Sequence, residues 1–299
     1  MKRRDFLSLT TLAAGAAAMT PLTGVAQPPT TLTGPIEPVW VPLTKEVKTT
    51  RIGFGTGMRG SGRQSDLTRG GYFKAIDMLR YAYDMGIRLF DCADLYGTHN
   101  VVAEAMSGKP RDSYVLVTKC WVKGGGIPEQ ERLAPEETVK RFLRELGTTY
   151  IDVLQIHCMD NDRWSQEFAT AMESMEKLKK AGLIRAHGIS SHSRSATDLA
   201  TKTDWCDTVH VRINSEGMSM EGSVEDNVAN IKRAHDAGKG IIAMKVLGEG
   251  RMKDDPEMRK KSTKFVMELG SVDCMIIGFT EKDQITEFVT NVAAFTPKS

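Results

Sequence analysis

Four residues combine type and spacing in a way that suits proton chemistry: Asp91, Tyr96, Lys119 and His157. A carboxylate, a phenol, an ammonium and an imidazole are groups that hold, give or take a proton. Asp91, Lys119 and His157 each interrupt or terminate an apolar run, where an ionisable side chain is costly without a partner. Tyr96 closes the segment Asp91-Cys-Ala-Asp-Leu-Tyr96-Gly97, short enough for the loop to fold the phenol over the same end of the fold. Singly, each has a plain structural explanation: a loop cap for Asp91, solvation for Lys119, a satisfied core histidine for His157. Together, at successive strand ends, they point to a site.

The elements that must position them alternate along the chain. Short apolar runs read as strands over 51–55, 87–92, 114–119, 151–157, 185–190, 208–213, 240–246 and 273–277. Helical stripes lie between them. Tyr72, Ile76, Leu79 and Tyr83 share one face, with Gly86 as the stop. Pro135 opens a helix with Val139, Phe142, Leu143 and Leu146 as its stripe and Gly147 as its end. Phe168, Met172 and Met175 close at Gly182, and Val224, Val228 and Ile231 close at Gly238. Asp255-Pro256 caps a further helix, and Ile285, Phe288, Val289 and Val292 mark the last. Eight apolar strands alternating with helices predict an α/β fold, a closed (β/α)8 TIM barrel with its active site at the strands' carboxyl ends.

Composition narrows the function classes. Of 299 residues, 40 are Lys or Arg and 38 Asp or Glu, a net charge of +2, which suggests no nucleic-acid partner. No stretch after the N-terminus approaches the roughly 18 apolar residues of a permanent membrane span. Five cysteines without CxxC or Cys/His spacing predict neither a disulfide framework nor a metal site. The first residues, Met-Lys-Arg-Arg-Asp-Phe-Leu, precede a weakly apolar run and a small-x-small site at Gly24 and Ala26. The paired arginines with Phe-Leu resemble a twin-arginine export signal. Residues 1–26 thus read as a signal peptide, 27–44 as a linker or arm, and 45–299 as the barrel. Such a leader implies the Tat translocase as a partner and a periplasmic, or otherwise extracytoplasmic, location.

With the motifs in place, the chain resembles the aldo-keto reductases. The likeness runs from Gly53-Phe-Gly-Thr56 to the final helix. It is carried by Phe90-Asp-Cys-Ala-Asp-Leu-Tyr96-Gly97, by Val117-Thr-Lys119-Cys-Trp121, and by the segment from Phe142 to His157. The resemblance implies reduction of aldehyde or ketone carbonyls to alcohols, or the reverse, with NADPH or, alternatively, NADH. It implies Tyr96 as proton donor, Lys119 lowering its pKa, Asp91 pairing with Lys119, and His157 orienting the carbonyl. Trp121 would line the pocket for the small carbonyl or alcohol substrate. Cys92, Cys120 and Cys158 each follow a member of this tetrad; alternation along a strand turns them away from the mouth, as small buried hydrophobes.

On the cofactor side the same resemblance places Gly55 and Thr56 under the nicotinamide. The Gly55-Thr-Gly57-Met-Arg-Gly60 run also fits a dinucleotide fingerprint, but the loop that follows it opens no helix. Ser190 and Ser191 align with Ser-Asn of the family, His210 with a glutamine, and Ile213 with a ring-stacking aromatic. Leu247, Gly248 and Gly250 resemble the pyrophosphate loop. Gly278, Thr280, Lys282 and Gln284 resemble the helix start at the adenosine phosphate, with Phe288 replacing an asparagine. Lys282 or Lys245 would pair a 2′-phosphate. The loop 122–133, with Gly124-Gly125-Gly126, is expected to shape specificity at an open mouth. An alternative role is an exported non-catalytic barrel that binds a ligand or a partner.

Overall fold

The computed structural model describes residues 35–296, and the leader falls outside them. Eight parallel strands close into a barrel: β3 (Ile52–Gly55), β4 (Leu89–Asp91), β5 (Val115–Cys120), β6 (Ile151–Met159), β7 (Ile184–Ser191), β8 (Thr208–Arg212), β9 (Gly240–Met244) and β10 (Cys274–Ile277). Each pairs with its sequence neighbour, and β10 closes on β3 through Met275 opposite Ile52 and Ile277 opposite Phe54. All eight expected strands are present, because residues buried on both faces leave near-continuous apolar runs.

The helices surround the barrel: α1 (Asp66–Arg69), α2 (Tyr72–Asp84), α3 (His99–Met106), α4 (Pro135–Leu146), α5 (Trp164–Glu167), α6 (Ala169–Lys180), α7 (Arg194–Lys202), α8 (Val224–Asp236), α9 (Pro256–Glu268) and α10 (Lys282–Phe295). Their signals are local. Pro135 opens α4 at its first turn and Gly147 ends it at φ 61°. The Asp255 carboxylate accepts from the Met258 amide ahead of Pro256. The short α1, α3, α5 and α7 were not placed by the apolar stripes.

Alternation along the strands divides the core in two. The larger part, with Phe54, Phe90, Leu154, Val209 and Ile241, lies between sheet and helices. The smaller fills the barrel with Leu89, Val115, Val117, Val153, Ala186, Ile242 and Cys274, together with Leu43 and Val47.

Leu43 falls within the 27–44 segment read as a linker or arm, and Val47 lies just after it. Residues 40–50 form a hairpin of β1 (Trp40–Pro42) and β2 (Lys48–Thr50). Its turn, held by the Thr44 hydroxyl accepting from the Val47 amide at 3.0 Å, pushes Leu43 and Val47 into the barrel's inner cluster. Burying each of these side chains contributes about 1.5–3 kcal/mol. The amino end of the barrel is closed, and polar chemistry is left to the carboxyl end.

Candidate active site

Asp91 is the last residue of β4, Lys119 the penultimate of β5, and His157 follows Gln155 by two in β6. By alternation they extend the inward-facing rows of Leu89, Val117 and Val153. All three are buried. The Lys119 ammonium donates to Asp91 Oδ1 at 2.5 Å and to the Cys92 carbonyl at 2.9 Å.

Tyr96 arrives from a single 3₁₀ turn, Asp94–Tyr96. Asp94 anchors that turn by accepting from Arg63 at 3.2 Å and Arg141 at 2.8 Å. The Tyr96 hydroxyl lies 3.3 Å from His157 Nε2, and the two rings meet edge to face at 5.5 Å. Two glycines of the Gly55–Gly60 run make room for the phenol. A β-carbon on Gly57 or Gly60 would fall 2.2 or 2.4 Å from the Tyr96 ring. The spacing that mimics a dinucleotide fingerprint therefore serves the tyrosine, and α1 opens only at Asp66, after the intervening loop.

The electrostatics follow from burial. Desolvation works to raise the Asp91 carboxyl, but Lys119 and His210 beside it outweigh that and hold it below the ordinary aspartate value. Desolvation, then the Lys119 charge, push His157 well below the usual histidine value, so the ring is neutral. Tyr96 moves opposite to expectation. Its burial and the Asp91 carboxylate raise it well above the ordinary tyrosine value. The ammonium that was to lower it stands 5.2 Å from the ring centroid, with two of its three donors occupied by Asp91 and the Cys92 carbonyl.

Around this unit, Trp121 stands edge-on to His157 at 5.6 Å and donates to the Gly125 carbonyl at 2.5 Å, so the glycine-rich loop carries it. Cys92 and Cys120 are buried on the helix side, as expected. Cys158 is not. The strand register shifts between Ile156 and Met159, Cys158 takes φ 63°, and its sulfur comes 3.5 Å from His192 Nε2. A bulge breaks the alternation on which that expectation rested. The His192 ring also meets Arg212, Nδ1 to Nη2 at 2.6 Å, and burial with this neighbour pushes it down to about 3. His192 and Arg212 lie at the carboxyl ends of β7 and β8, and sequence reasoning missed both. Extending the period-two rows of Ser190 and His210 by one step finds them.

A family model described as the aldo/keto reductase family matches residues 51–290. The chain belongs to the aldo/keto reductase family. It is similar to the aldo-keto reductase YhdN of Bacillus subtilis, 30% identical over 234 residues, covering 73% of this chain and 67% of that protein. It is also similar to an aldo-keto reductase of Fusarium vanettenii, 28% identical over 222 residues, covering 63% of this chain and only 58% of that protein. In fold it resembles the structure of a Klebsiella pneumoniae aldo/keto reductase in complex with NADP and acetate, with a TM-score of 0.64. That pair is 21% identical, over 86% of this chain and 90% of the other.

In this aldo/keto reductase barrel, the expected cofactor residues divide. Gly55 ends β3 at the mouth, where a β-carbon would meet only ordinary contacts at 3.6 Å. Ser190 faces inward and accepts from the Cys158 amide at 2.8 Å. His210 is inside the barrel against Asp91. Thr56 is buried, bonded to the Asp91 carbonyl at 2.8 Å and to Thr98 at 2.7 Å. Ser191 turns outward to the Ser193 carbonyl and Thr197, both at 2.8 Å, and Ile213 packs in the helix-side core. Alternation is the reason, since both are odd steps from inward-facing neighbours. The loop after β9 carries Leu247, half-buried on the core, with Gly248 and Gly250 at positive φ.

At the start of α10, Gln284 Oε1 accepts from the Thr280 amide at 2.8 Å, so this side chain caps its own helix. Lys282 pairs with Asp77 of α2 at 2.6 Å, and Lys245 pairs with Glu249. Gly278 is covered by Met58, whose Cγ would be 2.2 Å from an added β-carbon. Phe288 is buried against Phe279.

Proposed function

We propose that the chain reduces the carbonyl of a small aldehyde or ketone to the alcohol, using a nicotinamide cofactor, with Tyr96 as proton donor. The observation that carries this reading is the Tyr96 hydroxyl beside His157 Nε2, above the buried Asp91–Lys119 pair. The residues fit such a cofactor at the reacting end. Gly55 ends β3 at the mouth, Ser190 offers a hydroxyl, and buried His157 Nδ1 has no partner among the described residues. At the phosphate end, Lys245 and Lys282 are both paired with carboxylates, so they favour NADPH over NADH only if those pairs give way.

A bound reduced nicotinamide supplies the hydride. The chain supplies the rest. A carbonyl oxygen seated between the Tyr96 hydroxyl and His157 Nε2 receives hydrogen bonds from both, where negative charge develops. The Tyr96 proton then passes to that oxygen, and the phenolate left behind has the Lys119 ammonium 5.2 Å from its ring centroid. Burial keeps Tyr96 protonated at neutral pH, the form from which it donates.

The test is a titration of the purified chain with NADH and NADPH, followed by tryptophan quenching, then turnover of a panel of aldehydes and ketones. Saturable binding with turnover supports the reading. A folded chain that binds neither nucleotide overturns it, and a non-catalytic binding barrel would take its place.

Residues 1–26 we read as a twin-arginine leader that exports the folded chain to the periplasm. Cell fractionation of the intact chain and of an Arg3→Lys/Arg4→Lys variant tests this; equal retention in the cytoplasm overturns it.

A further inference from the structure

A second buried imidazole lies within the barrel mouth, and the tetrad chemistry does not use it. His210, in β8, is fully buried, level with Ser190 of β7 and Ile242 of β9. Its Nε2 stands 3.3 Å from Asp91 Oδ1, the same oxygen that Lys119 holds. The contact is off the line of a hydrogen bond, and among the described residues neither ring nitrogen has another partner. One step down the strands, Gln155 Nε2 donates to Thr208 Oγ1 at 3.0 Å. Gly188 lies between them in register, where a β-carbon would meet the Thr208 carbonyl at 1.9 Å. That bonded layer lies one inward-facing step below His210.

Ring nitrogens this deeply buried are costly without well-aligned partners. An apolar side chain would fill the place without that cost, so the imidazole is explained by what it holds. The charged or titratable groups facing it are Asp91 from β4, Lys119 from β5 and His157 from β6. A small tilt of the ring brings an Nε2–H onto Asp91 Oδ1.

We propose that His210 is a positioning residue that, with Lys119, pins the Asp91 carboxylate and so aims the third N–H of Lys119 at Tyr96. The proposal rests on the carbonyl-reducing reading for its kinetic test, though not for its structural one. Without His210, one oxygen of Asp91 loses a neighbour and the carboxylate turns about its own bond. The ammonium follows it, and the phenol loses its aligned support.

Two measurements on the full chain test this. The first needs neither cofactor nor substrate. Nitrogen-15 NMR of the histidine rings in wild type and Asp91→Asn should show the His210 Nε2 resonance shifting when the carboxylate is removed. An unchanged resonance overturns the proposal. The second compares His210→Leu with His210→Gln, which keeps an N–H donor. His210→Leu should lower kcat about tenfold or more and enlarge the solvent isotope effect, while KM changes less than about threefold. His210→Gln should restore most of the rate. A His210→Leu enzyme with wild-type kcat and isotope effect overturns the proposal. If that variant does not fold, His210→Asn, whose amide is too short to reach Asp91, takes its place with the same expected outcome. A chain that turns over no carbonyl sinks the functional reading alone, and the NMR comparison then decides whether His210 holds Asp91.

Discussion

Gly57 approaches Tyr96 so closely that a β-carbon on it would lie 2.2 Å from the ring's Cε2. The tyrosine's place over the barrel mouth therefore depends on a missing side chain across from it. Gly57→Ala is expected to turn the phenol away from His157, lowering kcat about tenfold or more. It should cost about 1–3 kcal/mol of stability as overpacking. Gly124→Ala, whose β-carbon would meet only an arginine tip at 3.9 Å, is the control. Steady-state kinetics with thermal unfolding reads both, and equal activity in the two variants contradicts the argument.

Removing the donor itself separates chemistry from binding. Tyr96→Phe keeps the ring that fills the space beside Gly57 and Gly60 and deletes only the hydroxyl. Reduction should fall by about 10²–10⁴-fold, the usual span for a general acid, with nucleotide binding by fluorescence unchanged.

Lys119 and Asp91 form a buried pair, 2% and 3% exposed. Lys119→Met leaves the carboxylate buried with only His210 near it. The expected loss of stability is about 3–5 kcal/mol, read by urea denaturation. A loss within the range of surface substitutions would show that water reaches the pair.

The pH dependence follows from two shifts of opposite sense. His157 lies well below the usual histidine value and Tyr96 well above the usual tyrosine value. Both groups keep one protonation state, neutral imidazole and protonated phenol, through the neutral range. Reduction should be flat between about pH 6 and pH 8, and alcohol oxidation, which needs the phenolate as base, should climb with pH through the alkaline range. A reduction rate that halves near the ordinary histidine value would show that His157 is more solvated than its burial indicates.

Lys282 is held by Asp77 at 2.6 Å. Asp77→Ala should release it and strengthen NADPH binding about threefold, the worth of an exposed ion pair, while NADH binding stays the same. An equal response of both nucleotides would remove Lys282 from any 2′-phosphate site.

Much of this architecture was legible before any fold was drawn. Apolar alternation and helical stripes are consequences of local backbone geometry, so eight strands and the longer helices between them follow from near neighbours in sequence. Carboxyl strand ends then bring Asp91, Lys119 and His157 together, and the Asp91–Tyr96 spacing brings the phenol. Other features depend on partners far along the chain. Leu43 and Val47 read as part of, or beside, a polar arm until the barrel offers them an apolar floor. Cys158 leaves its expected face because one bulge shifts the pleat. Lys282 and Gln284 look free to meet a phosphate until Asp77 from α2 and the helix's own amides engage them. Tyr96 shows the same division most plainly. Its identity and place were determined by the sequence, whereas the upward shift of its pKa was decided by the folded interior. Desolvation and the Asp91 carboxylate act on the phenol only once the barrel has closed around them.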